Sequence, residues 1–294
     1  MSTTVIKLTA AVAVGVLTAG CGHSSTNQSA PGTVTSVVTV TPTNTDVNDN
    51  GIPDSDDPAT DWPGKMVPVY EPATTPAAIA GKQFMQQTTM LEQFAADITD
   101  TLKLPYDIPI KGSQCGEAQL YWSSSDKDVV LCYEDIPRLL DQARELGDAD
   151  PAPATFNDML LGFYHESGHM MIDLYDLPTV GREEDDADQV SAYLMLRPND
   201  DGTVDRDALD AIGQGARSFG ADAGDVDDGA MSDVHSPTKV RMYNLECWTY
   251  GADPAYGAGL VAQGLLPQYR ADGCEGEYNQ LRAAWDRLLE PYLK

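Results

Sequence analysis

The sequence feature that most constrains this chain is the segment His165-Glu166-Ser-Gly-His169, in which two histidines lie four residues apart with a glutamate beside the first. Residues i and i+4 share one face of an α-helix, so both imidazoles can contact one metal ion. Neutral imidazole is a common zinc ligand. Glu166 lies about 100° around such a helix from His165 and can stay unbound, free to take a proton from a water at the metal. The segment therefore predicts a zinc site with an adjacent catalytic base.

The residues around this segment predict a buried helix. Two prolines, Pro151 and Pro153, are expected to end the preceding segment. Thr155 followed by Asp158 has the spacing of a capping box, so we expect the helix to begin near Thr155 and to end near Tyr175. The alternative is a core helix with two hydrogen-bonded histidines and no metal. Because burial of unpaired imidazoles and a carboxylate is costly, zinc is the simpler explanation.

The charge of the chain limits its partners. The sequence has 294 residues, with 18 Lys and Arg against 46 Asp and Glu, which gives a net charge of −28. Such a protein repels nucleic acid and anionic lipid surfaces. Locally, the same field could favour cationic substrates or calcium.

The first 21 residues have the pattern of a targeting segment. Lys7 precedes an apolar run from Leu8 to Leu17, and Leu17-Thr-Ala-Gly-Cys21 resembles a bacterial lipobox. We therefore expect a lipoprotein signal peptide over residues 1–21, lipidation of Cys21 and a membrane-anchored protein at the bacterial cell envelope. Ordinary secretion is the alternative.

Residues 22–61 are predicted to be a flexible tether that contains a calcium-loop-like segment over residues 46–57. Oxygen-bearing side chains occupy positions 1, 3, 5, 9 and 12 of this segment, and a glycine occupies position 6, which is the spacing of a calcium loop. The five candidate ligands are Asp46, Asn48, Asn50, Asp54 and Asp57. The segment resembles a calcium repeat of the thrombospondin type, and an acidic linker is the alternative.

Four further cysteines suggest two disulfides in an exported chain. Three connectivities are possible, and we favour the local pairs Cys115–Cys132 and Cys247–Cys274. A thiolate metal site is the competing explanation, but no C-x-x-C spacing supports it.

Apolar periodicity and turn residues predict a mostly helical α+β domain over residues 62–294. The expected helices, besides the one with the two histidines, cover residues 75–103, 136–146, about 181–196, 205–217, 238–250 and 277–292. The expected strands cover 106–110 and 128–133, and the expected surface loops cover 198–204 and 221–236.

This order of elements is similar to that of zincin metallopeptidases. Two further segments, Gly181-Arg-Glu-Glu-Asp-x-Ala-Asp188-Gln189 and the run from His235-Ser through Arg241 to Cys247-Trp-x-Tyr-Gly251, resemble a family of exported bacterial proteins described as putative metallopeptidases. The resemblance covers roughly residues 65–294. It implies a zincin-like fold in which a small sheet packs on the active-site helix and its edge strand lies above the metal, where it pairs with extended substrate.

The resemblance also implies a third metal ligand. Zincins with a glutamate ligand have a Glu-x-x-x-Asp arrangement, in which the glutamate binds zinc and the aspartate hydrogen-bonds a ligand histidine. Glu184 and Asp188 match this arrangement, and we favour Glu184 as the ligand. Asp188 is the alternative ligand, because a simple antiparallel hairpin could bring it level with the metal sooner.

His235 is the remaining candidate for catalysis. It could donate a hydrogen bond to the oxyanion, as a histidine does in thermolysin-like enzymes, or it could be an exposed capping residue. Arg241 could share that role or pair with the acidic cluster at 183–188.

These features predict zinc-dependent hydrolysis of a peptide or protein substrate by a metal-activated water, with Zn²⁺ and possibly Ca²⁺ as cofactors and no nucleic-acid partner. One alternative is a non-catalytic envelope lipoprotein with a structural zinc in a peptidase-like fold. The presence of Glu166 favours the enzyme, because a structural site needs ligands but no base. A metal-free, calcium-dependent surface module explains the histidines poorly.

Overall fold

One four-stranded sheet and eleven α-helices make up residues 62–199 and 201–294, the residues that the computed structural model describes. The predicted signal peptide with Cys21, the tether and the calcium loop from Asp46 to Asp57 lie outside the described residues. Within them, the mostly helical α+β class is confirmed.

The sheet is mixed, with strand order β1-β2-β4-β3. Its strands are β1 (Met66–Tyr70), β2 (Ile108–Ser113), β3 (Leu120–Ser123) and β4 (Asp128–Cys132). The β1–β2 and β2–β4 pairs are parallel, and β3 pairs with β4 in an antiparallel hairpin. Every residue of β4 is buried, whereas β3 lies at the edge and is partly exposed.

The longest helix is the central α4 (Pro151–Leu174). The others are α1 (Pro76–Gln87), α2 (Met90–Thr101), α3 (Asp135–Glu145), α5 (Glu183–Met195), α6 (Arg206–Ala221), α7 (Asp228–Ser232), α8 (Thr238–Ala252), α9 (Pro254–Ala262), α10 (Gln268–Ala271) and α11 (Cys274–Leu289). Among the described residues, none of these helices is long and apolar enough to cross a membrane.

The start of α4 differs from the prediction. The helix begins at Pro151, and the side chain of Asp150 caps it by accepting the N–H of Ala152. Thr155 is therefore buried inside the helix instead of capping it. Proline is well tolerated in a first helical turn, where its missing N–H has no intrahelical partner to lose. The prolines were wrongly interpreted as the end of the preceding segment.

Other element boundaries also differ from the sequence predictions. The single helix expected over 75–103 is two helices, separated near Thr89, whose φ of 49° is left-handed. The strand expected at 106–110 lies two to three residues later, and the predicted 221–236 loop contains the short helix α7. Besides α7, four elements were not predicted: β1, β3, α9 and α10. They are short, and most carry too little apolar periodicity to be recognised.

The central helix packs against α3, α5 and α6 and against β3 and β4. Phe163 of α4 stacks on Phe94 of α2 with ring centroids 4.8 Å apart. Met170 and Met171 are fully buried in the same core. Because α4 is surrounded in this way, residues that project from it are held in fixed positions.

The contact between α4 and α5 is especially close at Gly168. A Cβ added to Gly168 would lie 2.9 Å from the Cα of Ala187 and 3.1 Å from its carbonyl oxygen. Both neighbours are backbone atoms, so they can give way only if α5 moves. The absence of a side chain at Gly168 thus sets the distance between the two helices.

Two disulfides join separate segments of the chain. Cys115–Cys132 joins the segment after β2 to the end of β4, and Cys247–Cys274 joins α8 to the first residue of α11. These are the two pairs that the sequence favoured.

We predict that Gly168→Ala lowers the free energy of unfolding by about 1–3 kcal/mol, because overpacking forces the backbones apart. Urea denaturation measures the change. Gly276→Ala is the matched control, since it adds a Cβ to α11 with nothing within 4 Å and should be neutral or slightly stabilising. Equal stability of the two variants would show that the α4–α5 contact is not tight.

Candidate metal centre

The centre is built from facing side chains of α4 and α5. His165 and His169 project from one face of α4, and Glu184 projects from the first turn of α5. The Nε2 atoms of the two histidines are 3.3 Å apart, and Glu184 Oε2 lies 3.0 Å from the first and 3.3 Å from the second. One ligand atom from each residue lies within 4.8 Å of the others. The structure thus brings together the three ligands that the sequence favoured.

Each histidine is oriented by a carboxylate at its other ring nitrogen. Nδ1 of His165 is 2.8 Å from Asp188 Oδ1, and Nδ1 of His169 is 2.8 Å from Glu183 Oε1. When Nδ1–H donates to a carboxylate, the lone pair of Nε2 is turned toward the centre and the imidazole becomes a better metal ligand. Asp188 lies behind His165 and not among the converging atoms.

Glu183 was missed as a partner of His169. The only signal for it was its place in the acidic first turn of α5, which also suits the helix dipole. Its side chain is 55% exposed, whereas that of Asp188 is 8% exposed, so Glu183 holds its histidine less firmly.

Arg241 of α8 holds Asp188 with two hydrogen bonds. Its Nε donates to Asp188 Oδ2 at 2.7 Å and its Nη2 to Oδ1 at 2.6 Å. The guanidinium lies 4.4 Å from the ring centroid of Phe219, which fixes its plane. Of the two roles considered for Arg241, the structure places it on the acidic cluster.

The pKa of Asp188 reflects this pairing. Burial raises the pKa of its carboxyl, but hydrogen bonds from Arg241 and His165 outweigh burial and hold the pKa below its ordinary value. Asp188 therefore stays ionised and keeps accepting the Nδ1–H of His165.

The three converging groups favour a positive charge among them. Burial lowers the pKa of His165, yet hydrogen bonds with Asp188 and Glu184 raise it to about 9. Hydrogen bonds with both histidines lower the pKa of Glu184 far below its ordinary value. Protons or a metal ion can supply this charge. Two imidazole nitrogens and one carboxylate oxygen are a ligand set that zinc takes in catalytic sites, so the residues fit zinc.

Glu166 is turned away from the converging atoms and toward β3. Its Oε2 accepts the backbone N–H of Trp122 at 2.9 Å. Burial raises the pKa of this carboxyl, and the neighbouring histidines partly oppose the rise. The position agrees with a base that lies beside a metal site without occupying it.

A second set of contacts ties β3 to α4. The indole Nε1–H of Trp122 donates to Asp173 Oδ2 at 2.9 Å, and Lys127 Nζ pairs with the same oxygen at 2.7 Å. Asp173 lies seven residues beyond Glu166 on α4, which is nearly the same helix face. The edge strand is thereby held over the centre. The contributions of Trp122 and Asp173 were not foreseen, because β3 itself was not predicted.

His235 reaches the same centre from the segment before α8. Its Nε2 is 2.9 Å from Glu184 Oε2, and its Nδ1 is 3.1 Å from Asp233 Oδ1. The side chain is 43% exposed. Arg182 anchors this segment by donating to the backbone oxygens of His235 and Met231. The structure therefore brings His235 to the rim of the centre.

Two adjoining cavities meet at the centre. One is an open cleft of about 770 Å³ beside His169, and the other is a cavity of about 230 Å³ beside His165. Leu120 of β3, Glu166 and His235 line both. A chain lying across these three residues would have space on either side of Glu166.

A family model with the description "Putative metallopeptidase" matches residues 70–289. The match includes every residue of the centre described above. No curated protein and no solved structure matches the chain.

We predict that Glu184→Ala weakens zinc binding more than Asp188→Asn does. Asp188 hydrogen-bonds the ligand His165 without binding the metal, so Asp188→Asn should lower the zinc affinity by about 10–100-fold. Competition with a chromophoric chelator measures both dissociation constants. Glu183→Ala is the control for loss of an exposed carboxylate at the same helix terminus, and it should cost least. If Asp188→Asn lowers the zinc affinity more than Glu184→Ala does, Asp188 is the metal ligand and the assignment of Glu184 is wrong.

Proposed function

The chain belongs to this metallopeptidase family, and we propose that it hydrolyses peptide bonds with a zinc ion held by His165, His169 and Glu184. One observation carries the proposal. Two imidazole nitrogens and a carboxylate oxygen converge, while Glu166 lies beside them with a different hydrogen-bond partner. A site that only stabilised the fold would need the first three groups but not the fourth.

When bound, zinc would act as a Lewis acid that makes a water molecule more acidic and polarises the substrate carbonyl. Glu166 supplies the base. Its Oε2 is occupied by the N–H of Trp122, so Oε1 is the atom that accepts the proton. Because burial raises the pKa of this carboxyl, the carboxylate accepts the proton more readily than an ordinary one, and the same group then passes the proton to the leaving amine.

His235 is proposed to donate a hydrogen bond from Nε2 to the carbonyl oxygen as negative charge develops there. The contact between His235 Nε2 and the proposed ligand Glu184 places the imidazole beside the metal centre. Its partial exposure allows it to turn toward a substrate in the cleft.

The edge strand β3 is proposed to bind the substrate backbone. Its inner side pairs with β4 from Leu120 to Ser123, and no other described strand pairs with its outer side. The N–H of Trp122 on this side already donates to Glu166. An extended peptide can add to the rest of the edge through main-chain hydrogen bonds. The hydrogen bond between Trp122 and Asp173 holds the strand, and a peptide paired with it, at a fixed position relative to Glu166.

We also propose that the protein is exported and anchored at the bacterial envelope through Cys21, as residues 1–21 indicate. Two disulfides support an oxidising compartment outside the cytoplasm. Calcium binding by residues 46–57 stays a prediction from the sequence.

We predict that Glu166→Gln abolishes most peptide cleavage while zinc content and melting temperature stay nearly unchanged. The amide keeps the shape of the side chain but cannot accept the proton, so the rate should fall by about 10²–10⁴-fold. Digestion of a diverse peptide pool, read by mass spectrometry, measures the loss.

The controls are Glu145→Gln, which changes an exposed glutamate of α3, and wild-type protein treated with a chelator. Cleavage that survives in Glu166→Gln would require another base. A wild-type protein that binds zinc but cleaves nothing in the pool would instead be a non-catalytic lipoprotein with a structural zinc.

A further inference from the structure

The 230 Å³ cavity beside His165 is bounded by α3, α4, α6 and α8. Glu166 lines both this cavity and the larger cleft, and this cavity is the smaller of the two. Any substrate held with a carbonyl at Glu166 therefore has this cavity next to it. What lines the cavity decides which substrate side chain fits there.

A gap in the side chains of α4 keeps the cavity open. His165, Gly162 and Asp158 lie on one helix face at spacings of three and four residues. Gly162 has no side chain, and a Cβ there would lie 3.1 Å from Leu120 Cδ2 of the edge strand. On this face, the position of Gly162 between His165 and Asp158 is open, and the Asp158 carboxylate lies about 10 Å along the helix axis from His165.

Apolar side chains form part of the cavity wall. They come from four different elements, and the side chains are Leu120, Leu139, Leu161 and Phe219. Such walls suit the methylene stem of a long side chain, whose polar head is then carried beyond them.

Asp158 offers an acceptor in this cavity. Its Oδ2 accepts hydrogen bonds from Gln214 Nε2 at 3.2 Å and from Ser218 Oγ at 2.9 Å. Both donors are uncharged, and both donate to the same oxygen. Among the described residues no hydrogen bond reaches Oδ1. One oxygen of a half-buried carboxylate is thus left for a ligand.

The charges around the cavity are unbalanced. Three carboxylates line this part of it, those of Asp135, Asp158 and Asp222, against one arginine, Arg138. Arg138 is paired with Asp135 at 2.6 Å. The other arginine in the lining, Arg241, is used by Asp188. Asp158 and Asp222 therefore have only neutral hydrogen-bond donors.

The energetic consequence is visible at Asp158. Burial raises the pKa of its carboxyl to about 6, although the hydrogen bonds from Gln214 and Ser218 and the charge of Arg138 oppose the rise. The ionised form at neutral pH is therefore less stable in the folded protein than in the unfolded chain. A bound cation would remove this penalty.

We propose that this cavity is a substrate subsite that takes an arginine or lysine side chain next to the scissile peptide bond, with the cationic head at Asp158 Oδ1. The proposal rests on the proposed function and names the substrate class of that site, a basic peptide. The field of the chain, with its net charge of −28, would draw the same class of peptide toward the cleft.

The first experiment measures cleavage by the full zinc-loaded chain on matched peptides that differ only in arginine or norleucine at each position around the cleaved bond. Wild type should prefer arginine at one of these positions. Asp158→Asn should lower the arginine-to-norleucine ratio of kcat/KM by about tenfold or more, mainly through KM, because a buried charge pair is lost.

Two features keep the comparison interpretable. The asparagine oxygen can still accept from Gln214 and Ser218, so the variant should fold, and loss of the buried charge should raise its melting temperature. Asp97→Asn is the matched control: Asp97 is a carboxyl of α2 that lines a separate cavity, and burial also raises its pKa. Its arginine-to-norleucine ratio should equal that of wild type.

The second experiment needs no catalysis. Binding of argininamide and of norleucinamide to wild type and to Asp158→Asn is measured by calorimetry or chemical-shift titration. Wild type should bind argininamide more tightly, and Asp158→Asn should lose that difference.

The two experiments separate the possible failures. A protein that cleaves no peptide yet binds argininamide through Asp158 would contradict the proposed function but support the subsite. Cleavage without an arginine preference, or a preference that survives in Asp158→Asn, would overturn the subsite and leave Asp158 as a link between α4 and α6. Equal binding of the two amides by wild type would overturn it as well.

Discussion

The close packing of α4 on α5 is the constraint on which the rest of the centre depends. Gly168 lies between the two histidines in sequence and lets the backbone of Ala187 approach the helix that carries them. Glu184 and Asp188 lie three residues before and one residue after Ala187, so the same contact sets where both carboxylates meet the imidazoles. One small residue inside the motif thus determines whether ligand and outer partner can both reach His165.

Further contacts hold the residues that surround this helix pair. Asp188 orients His165, and Arg241 orients Asp188 through two charged hydrogen bonds in a buried setting. Arg241 belongs to α8, which the disulfide Cys247–Cys274 joins to α11. On the opposite side, Asp173 ties the edge strand to α4 through Trp122. Two cationic side chains, Arg241 and Lys127, thus pair with carboxylates that help to fix the geometry of the centre.

The parts of the site that sequence could predict are those set by local helix geometry. The spacing of His165 and His169, and the place of Glu166 between them, follow from 3.6 residues per turn. The resemblance to zincins supplied Glu184 and Asp188, and the structure brings both to the histidines. Glu183, Trp122 and the role of Arg241 depend on how separate elements dock, which no local pattern encodes. The missed strands have the same cause, since β3 is a four-residue edge strand defined by its partner β4.

Anomalous diffraction at the zinc edge, from crystals of the zinc-loaded protein, tests the central claim most directly. The account predicts one strong peak about 2.0–2.2 Å from Nε2 of His165, Nε2 of His169 and an oxygen of Glu184, with Glu166 outside bonding distance. A peak bonded to Asp188 in place of Glu184, or zinc bound away from α4, would contradict it.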